Sequence, residues 1–409
     1  MAYSGRVFTH QHNWTKAVKE RLAWKTSVTV KRKGLEQRSK LRSQPRRSLE
    51  YLIEPMEASE LRRLNNFLWA SIHQPILVPI WTYPDQLTSH LSSGSDVLEI
   101  DTVAKDYDDN AYLLFSNAPD DYEAIAISSL TSSELTLAET TSKQWNKGTQ
   151  VFPARLGRFE PRPGASVIGS DAKAYSVNFS IDETAYSTNR IASITPETYR
   201  SLDLFLNKPE TSQETEHSFD RERRARDADN GLVSFDPIMP APSTVFEHNE
   251  LLLSQQELSD FLGFLDRRKG RLVPFWVPTW DRDFEPVLFN STTFKFSECD
   301  YTSLVNAAEA RRDVYVHLHA PSSALENKDF TVLRLSAPVD NGDGTEQATI
   351  ASAHANGGGS NLNGAGVSAI SLVAYLKQAR LEADTVELSW DTDSIVDASL
   401  NFRELFRTA

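Results

Sequence analysis

Two histidine pairs stand at alternate positions, His10 with His12 and His317 with His319. On a strand, residues two apart point to one face, so each pair could begin a zinc site. Zinc needs further ligands, and none stands at a useful spacing from either pair. Asp106, Asp108 and Asp109 are residue types that hold calcium. The run lacks the glycine and closing glutamate of a calcium loop, and it reads as a solvated turn. DNGDG at 340–344 fits a hairpin turn better than a ligand loop. The glycines at 357–359 are not followed by Lys-Ser or Lys-Thr, which excludes a phosphate-binding loop. Cys299, the only cysteine, lies in FKFSECD with no histidine beside it to make a nucleophile. No GxSxG, HExxH or framed carboxylate pair appears. The expectation is a chain that is not an enzyme and that takes no metal and no cofactor.

What rises above this background is aromatic. Trp81, Tyr83, Trp276 and Trp280 stand among Pro79, Pro84, Pro274 and Pro278. Proline brings no N–H to an interior ladder, so these residues belong at a sheet edge or corner. Such residues plug a core corner, make a subunit contact of the kind where Trp and Tyr concentrate binding energy, or form a sugar-stacking platform. The candidate interface set is Trp81, Tyr83, Pro274, Trp276 and Trp280, with Arg32, Lys33, Arg46 and Arg47 from the basic N-terminal region.

The elements that would position these residues occur twice. LLLSQQELSDFLGFLDRRKGRLVPFWVPTW at 251–280 echoes the stretch that runs from Leu49 to Trp81. Leu61, Leu64, Phe67 and Leu68 match Leu258, Phe261, Phe264 and Leu265 at one constant offset, and each set makes one apolar stripe of a helix. Alternation at Leu49, Tyr51 and Ile53 and at Ile76, Val78 and Ile80 predicts a pair of strands beneath the helix. Ser254 with Glu257 predicts a capping box and Gly270 a helix stop. Past the helix, Val78, Pro79, Ile80 and Trp81 are matched with Val273, Pro274, Phe275 and Trp276, which makes the second loop two residues shorter. Two such units imply an internal duplication.

The net charge of −13 hides an asymmetry, because residues 1–50 carry 13 Lys and Arg against Glu20, Glu36 and Glu50. A basic region on an acidic body binds nucleic acid, lies on an acidic neighbour, or is a solvated loop. The start, MAYSGRVFTHQHNW, has no apolar signal region, and no apolar run is long enough to span a bilayer. A lone cysteine fits a reducing compartment.

Read in order, 1–47 is a basic arm, and 48–90 with 172–185 is the first helix-bearing domain. The first inserted β domain is 91–171, from the short strands VLEI, AYLLF, AIAI, LTLA and VFPARL. Residues 186–247 form a connector: a helix started by Thr195-Pro196 with the stripe Tyr199, Leu202, Phe205 and Leu206, then a polar linker that serves as the second copy's arm. The second helix-bearing domain is 248–285 with 394–409, and the second inserted β domain is 286–393, tipped by the glycine-rich loop 354–366.

The strand, the helix 257–265, the Arg267–Gly270 turn and Phe275-Trp276 with Pro278 together resemble the distal-tail and minor tail protein family of long-tailed bacteriophages, that of the lambda minor tail protein M. Glu60 to Leu68 with Ile80 and Trp81 match in the first copy, which lacks the glycine turn and the second tryptophan. The resemblance implies a fold class of α+β, mainly β: two tandem tail-tube-like β-sandwich or barrel domains, each with a small antiparallel β insert. It implies a structural virion protein, a ring at the tail tip or baseplate that joins the tube to the hub or receptor-binding apparatus. The expected partners are further copies of itself, as a homotrimer rather than a homohexamer, with the tail tube and the hub or baseplate proteins. DNA would pass through the lumen without specific binding, no membrane would be involved, and assembly would occur in the host cytoplasm. The basic arm would clasp an acidic neighbour. The alternative reading is a carbohydrate-binding or adhesion module for host surfaces.

Overall fold

Leu49, Tyr51 and Ile53 alternate inward along the strand Arg46–Ile53 and are buried, as the period of a strand with one covered face requires. The chain then forms helix α1 (Ala58–Ser71) and the strand Ile76–Pro79; Ser243–Leu252, helix α2 (Gln255–Arg268) and Phe275–Pro278 repeat that order. The computed structural model describes residues 3–31, 35–55, 57–109, 111–160, 163–167, 173–182, 189–210, 214, 216–221, 223–227, 229, 231, 233–237, 242–290, 292–322, 328–353 and 366–405. The protein is mainly β, with every strand pairing of the main sheet antiparallel apart from short bridges. Residues 354–365 of the expected tip loop, with Arg32 and Lys33, lie outside the described residues.

The strands flanking each helix are not direct neighbours. In the first half the order across the sheet is Arg46–Ile53, Lys173–Ile181, Gln150–Phe159, Ile76–Pro79. In the second it is Ser243–Leu252, Val396–Glu404, Ile370–Leu381, Phe275–Pro278. The registers also agree. Leu49 faces Phe179 as Phe246 faces Phe402, and Glu50 faces Asn178 as Glu247 faces Asn401. Ile76 faces Gly157 as Phe275 faces Ala379. ILVP at 76–79 therefore stands in the place of FWVP at 275–278, and Trp81 in that of Trp280. This corrects the match of Val78-Pro79-Ile80-Trp81 to Val273-Pro274-Phe275-Trp276. The longer loop is 269–274, against 72–75. Trp276, by type the natural partner of Trp81, occupies the position of Leu77.

The agreement starts far upstream of residue 48. Phe8 N–H donates to Leu77 O at 2.9 Å and Phe205 N–H to Trp276 O at 2.8 Å; Asn13 N–H donates to Leu52 O and Glu210 N–H to Asn249 O. The described residues within 1–47 are thus no free arm. Val7, Phe8, Val18, Leu22 and Trp24 are buried in the main core, and Thr26–Val30 pairs with Glu36–Lys40 as a hairpin. The expected polar linker contains the matching parts, the strand His217–Asp220 and the hairpin Arg223–Asp227 with Val233–Pro237. The expected connector helix is absent as well. Arg200 and Ser201 both take positive φ, 48° and 66°, and turn the chain between Thr198–Tyr199 and Leu202–Asp203. Its stripe scatters to separate partners: Tyr199 packs on Trp276 and Phe205 stacks on Phe264.

α2 begins at the predicted Ser254, with the returning bond of Glu257 made one residue before the N-cap. Ser254 Oγ accepts from Glu257 N–H at 3.2 Å, the Glu257 carboxylate accepts from Leu253 N–H at 2.8 Å, and Lys269 and Gly270 close the helix at φ 51° and 68°. The inserted regions have their own cores, Leu87 to Val151 and Phe284 to Val373. Their closing strands do not stop at those cores. Gln150–Phe159 pairs first with Tyr112–Ala118 and then with Ile76–Pro79 and Lys173–Ile181, while Ile370–Leu381 leaves Asp313–Ser322 for Phe275–Pro278 and Val396–Glu404. The divisions placed at 171 and 393 thus fall after strands that already belong to the main sheet.

Candidate functional site: the seam between the halves

The strand Val18–Ala23 has Arg46–Ile53 of the first half on one side and Thr385–Trp390 of the second half on the other. Val18, Glu20 and Leu22 turn inward, while Lys19 and Arg21 turn outward to Glu387, at 2.9 and 2.7 Å. Both outward pairs are well exposed, so each adds at most about 1 kcal/mol. Stronger links run underneath. The Arg380 guanidinium donates through two nitrogens to the Glu36 carboxylate, both at 2.8 Å, with each side chain almost fully buried. Asp384 accepts from the backbone N–H of Thr26 and of Arg271, tying the N-terminal hairpin to the end of α2. A Cβ at Gly270 would meet Asp384 Oδ1 at 2.5 Å and Trp24 Cβ at 3.0 Å, and the positive φ there adds a second reason for glycine. Through Thr26, Glu36 and Trp24 the N-terminal region is packed against the second half of the same chain.

At the centre of the seam lies a buried ionic cluster. Arg47 Nε is 2.8 Å from Glu20 Oε1 and Arg190 Nη2 is 2.6 Å from the same oxygen; Arg47 also reaches Asp106 Oδ2, at 2.5 Å, and Arg155 Nη2 reaches Asp106 Oδ1, at 2.8 Å. Glu20, Asp106 and Arg190 are fully enclosed, with Arg47 and Arg155 nearly so. Burial alone would push both carboxyls up. The guanidinium groups of Arg190 and Arg47 at Glu20, and of Arg47, Arg155 and Arg190 at Asp106, outweigh it and hold both below the usual carboxylate range. Asp106 was expected in a solvated turn. Its sequence neighbours are polar, and nothing local announces partners on three other segments.

The predicted interface residues divide. Trp81, Tyr83, Trp276 and Arg47 are buried inside the chain. Tyr83 meets Trp390 across the seam at 5.3 Å between ring centroids, Trp81 stands edge-on to Phe152 at 4.7 Å, and Trp276 stands edge-on to Tyr199 at 5.2 Å. A pocket of about 350 Å³ opens at the seam between Trp14, Trp81 and Phe152 of the first half and Thr392 and Asp393 of the second. Pro274 is half-buried and its carbonyl accepts from Arg268; Arg46 is exposed.

Trp280, in the place of Trp81, is half-buried and borders a groove of about 600 Å³ with Tyr315, Phe330, His317, Asp329 and Arg282. Its φ is 60°, a conformation costing a bulky residue about 1–3 kcal/mol. Its indole N–H is buried without an acceptor among the described residues, which costs roughly 1–3 kcal/mol more.

His12 and His317 are held within the fold, His317 by Ser371 at Nδ1. His12 accepts from Leu52 N–H at Nδ1 and its Nε2 bonds Lys16 O, so both ring nitrogens are in use. Among the described residues no group of three His, Cys, Asp or Glu side chains is placed to hold a metal ion. The Cys299 thiol is pushed up to about 11 by partial burial and by the Glu346 carboxylate, which leaves little thiolate at neutral pH. No helix among the described residues is long and apolar enough to cross a membrane. No protein-family model and no curated protein sequence matches the chain.

Proposed function

We propose that this chain is a non-enzymatic structural virion protein, a ring-forming component of the distal end of a phage tail that joins the tube to the hub or receptor-binding apparatus. The observation that carries the reading is the recurrence of strand order and register in the two halves, joined edge to edge through Val18–Ala23. It fits a tandem duplication of a tail-tube-like β domain, each copy with its own β insert. Side-by-side units continuing one sheet are what a ring wall needs, and a chain that supplies two units per copy reconciles a sixfold tube with a threefold tip when three copies close. The unequal loops, 269–274 against 72–75, suit alternating positions in such a ring. Homotrimer, tube and hub partners and a DNA-conducting lumen belong to this proposal, as does assembly in a host cytoplasm.

The test is to image purified protein and to locate it by antibody labelling on virions. Labelling at the tail tip, with a mass of three chains per ring, is the expected result. Six chains per ring, with every first half equivalent, would remove the trimer but leave the role; labelling elsewhere would remove the role.

A second reading, carbohydrate binding, draws on the groove at Trp280. A half-buried, strained indole beside Tyr315, His317 and Asp329 has the mixture of aromatic face and polar rim that sugars use. Glycan binding by the isolated protein, lost in Trp280→Ala, would favour it.

A further inference from the structure

The seam inside the chain has an unused counterpart on the outside. Val18–Ala23 stands in the first half where His217–Asp220 stands in the second: Glu20 faces Leu49 as His217 faces Phe246, and Ala23 faces Arg46 as Asp220 faces Ser243. Thr385–Trp390 stands in the second half where Gly164–Val167 stands in the first: Leu388 faces Ala398 as Ala165 faces Tyr175, and Trp390 faces Val396 as Val167 faces Lys173. Val18–Ala23 and Thr385–Trp390 pair with each other. Among the described residues their counterparts each have a strand on one side only, and every residue of both is exposed.

The side chains on these two edges make the same point. Phe219 is 75% exposed and Val167 69%, whereas Leu22 and Trp390, which hold the corresponding places in the internal seam, are each 0% exposed. An edge strand with free ladder groups and a large apolar side chain left in water is a template for another strand. The internal seam already shows which strand fits each edge, because each free edge is the counterpart of one member of a pair.

We propose that copies of this chain join head to tail, His217–Asp220 of one copy pairing antiparallel with Gly164–Val167 of the next, in the manner of the seam within the chain. The internal pairs Glu20 with Leu388 and Arg21 with Glu387 fix the register: His217 lies opposite Ala165 and Ser218 opposite Gly164. Phe219 then lies opposite Pro163, as Leu22 lies opposite Val386, and Glu216 lies opposite Ser166, as Lys19 lies opposite Ser389. The contact is heterologous, so it closes a ring if the rotation per copy divides the circle and otherwise makes a filament. It is also the weaker seam. Lys19 and Arg21, which pair with Glu387 inside the chain, correspond to Glu216 and Ser218, and Glu387 corresponds to Gly164, so the outer seam lacks those ion pairs. Assembly therefore depends on concentration. The proposal deepens the ring reading and rests on it for closure, not on a place in a virion.

The experiment uses the full chain with Cys299→Ser. One double variant carries His217→Cys with Ala165→Cys and another Ser218→Cys with Gly164→Cys, because adjacent pairs in an antiparallel ladder alternate between narrow and wide spacing and one of the two suits a disulfide. A Cβ at Gly164 meets nothing within 4 Å. On mild oxidation one double variant should give a ladder of linked multimers, a mixture of its two single variants should stop at linked dimers of unlike chains, and each single variant alone should stay unlinked. Phe219→Asp and Val167→Pro should each shift the assembled wild-type chain to monomer with unchanged circular dichroism. Wild-type assembly that shows no cross-link at either pair and is indifferent to Phe219→Asp would overturn this seam and leave the ring reading standing. A wild-type chain that stays monomeric at every concentration would overturn both.

Discussion

Asp106 is held by guanidinium groups from segments distant in sequence, Arg47 and Arg155 on strands and Arg190 beyond them. Its depressed pKa makes a stability prediction with a definite sign. Asp106 and Glu20 bind protons more weakly folded than unfolded, so their stabilisation is complete above the unfolded carboxylate values of about 4 and is lost as pH falls from there toward the folded values. Urea midpoints should be level near neutral pH and drop steeply on acidification. Asp106→Asn should flatten that acid limb and lower stability at pH 7 by about 3–5 kcal/mol, because it leaves buried cations short of a counter-charge. A folded Asp106→Asn protein with an unaltered acid limb would contradict this account. None of the cluster was legible in the sequence. Arg47 was picked as an interface residue and Asp106 as a solvated one, because residue type reports charge but not which distant charge will meet it.

At the scale of elements, what could be read was whatever carries its own period. Leu258, Phe261 and Leu265 mark α2, and Leu49, Tyr51 and Ile53 mark their strand, since each buries one face against the same core. The strands Thr26–Val30 and Glu36–Lys40 cover their inner face with Thr26, Glu36 and Arg38 and not with an apolar row, and Ala225–Asp227 and Val233–Phe235 are exposed, so both hairpins read as arm and linker. Tyr199, Leu202, Phe205 and Leu206 kept a helical spacing by accident of composition while each found a different partner. The two helices also differ at their starts: Ser254 caps α2 through its side chain, and Glu57 makes no side-chain cap on α1. Ser254→Ala should therefore cost about 1 kcal/mol, whereas Glu57→Ser should add roughly 0.5–1 kcal/mol by supplying the missing acceptor. Thermal melts of the two single variants check both signs. A Glu57→Ser protein less stable than wild type would show that Glu57 serves some other contact.

At the scale of the molecule, the similar helix-and-strand patterns of the two halves are visible in the sequence, but how the halves meet is not, because strand pairing between distant segments leaves no local pattern. The meeting is made by Val18–Ala23, and residues from both halves, Leu49 and Phe179 with Phe402 and Trp390, belong to one continuous core. A strand paired on both sides, with Val18 and Leu22 fully buried, is central and not an arm. Its removal should therefore damage the fold itself. The sharper experiment is Leu22→Pro, which takes one N–H out of the middle of the seam and a buried side chain out of the core. With the seam intact, the halves share a core and should unfold in one calorimetric transition. With Leu22→Pro they lose that coupling, and the heat-capacity trace should split, the first half melting earlier because it loses its own strand while the second retains the pairing of Ser243–Leu252 with Val396–Glu404. Hydrogen exchange would show the order directly, with protection at Leu49 and Val177 lost before protection at His248 and Leu400. A single transition at the wild-type midpoint would mean that Val18–Ala23 does not couple the halves, and that the clasp at Glu36 with Arg380 carries the junction instead.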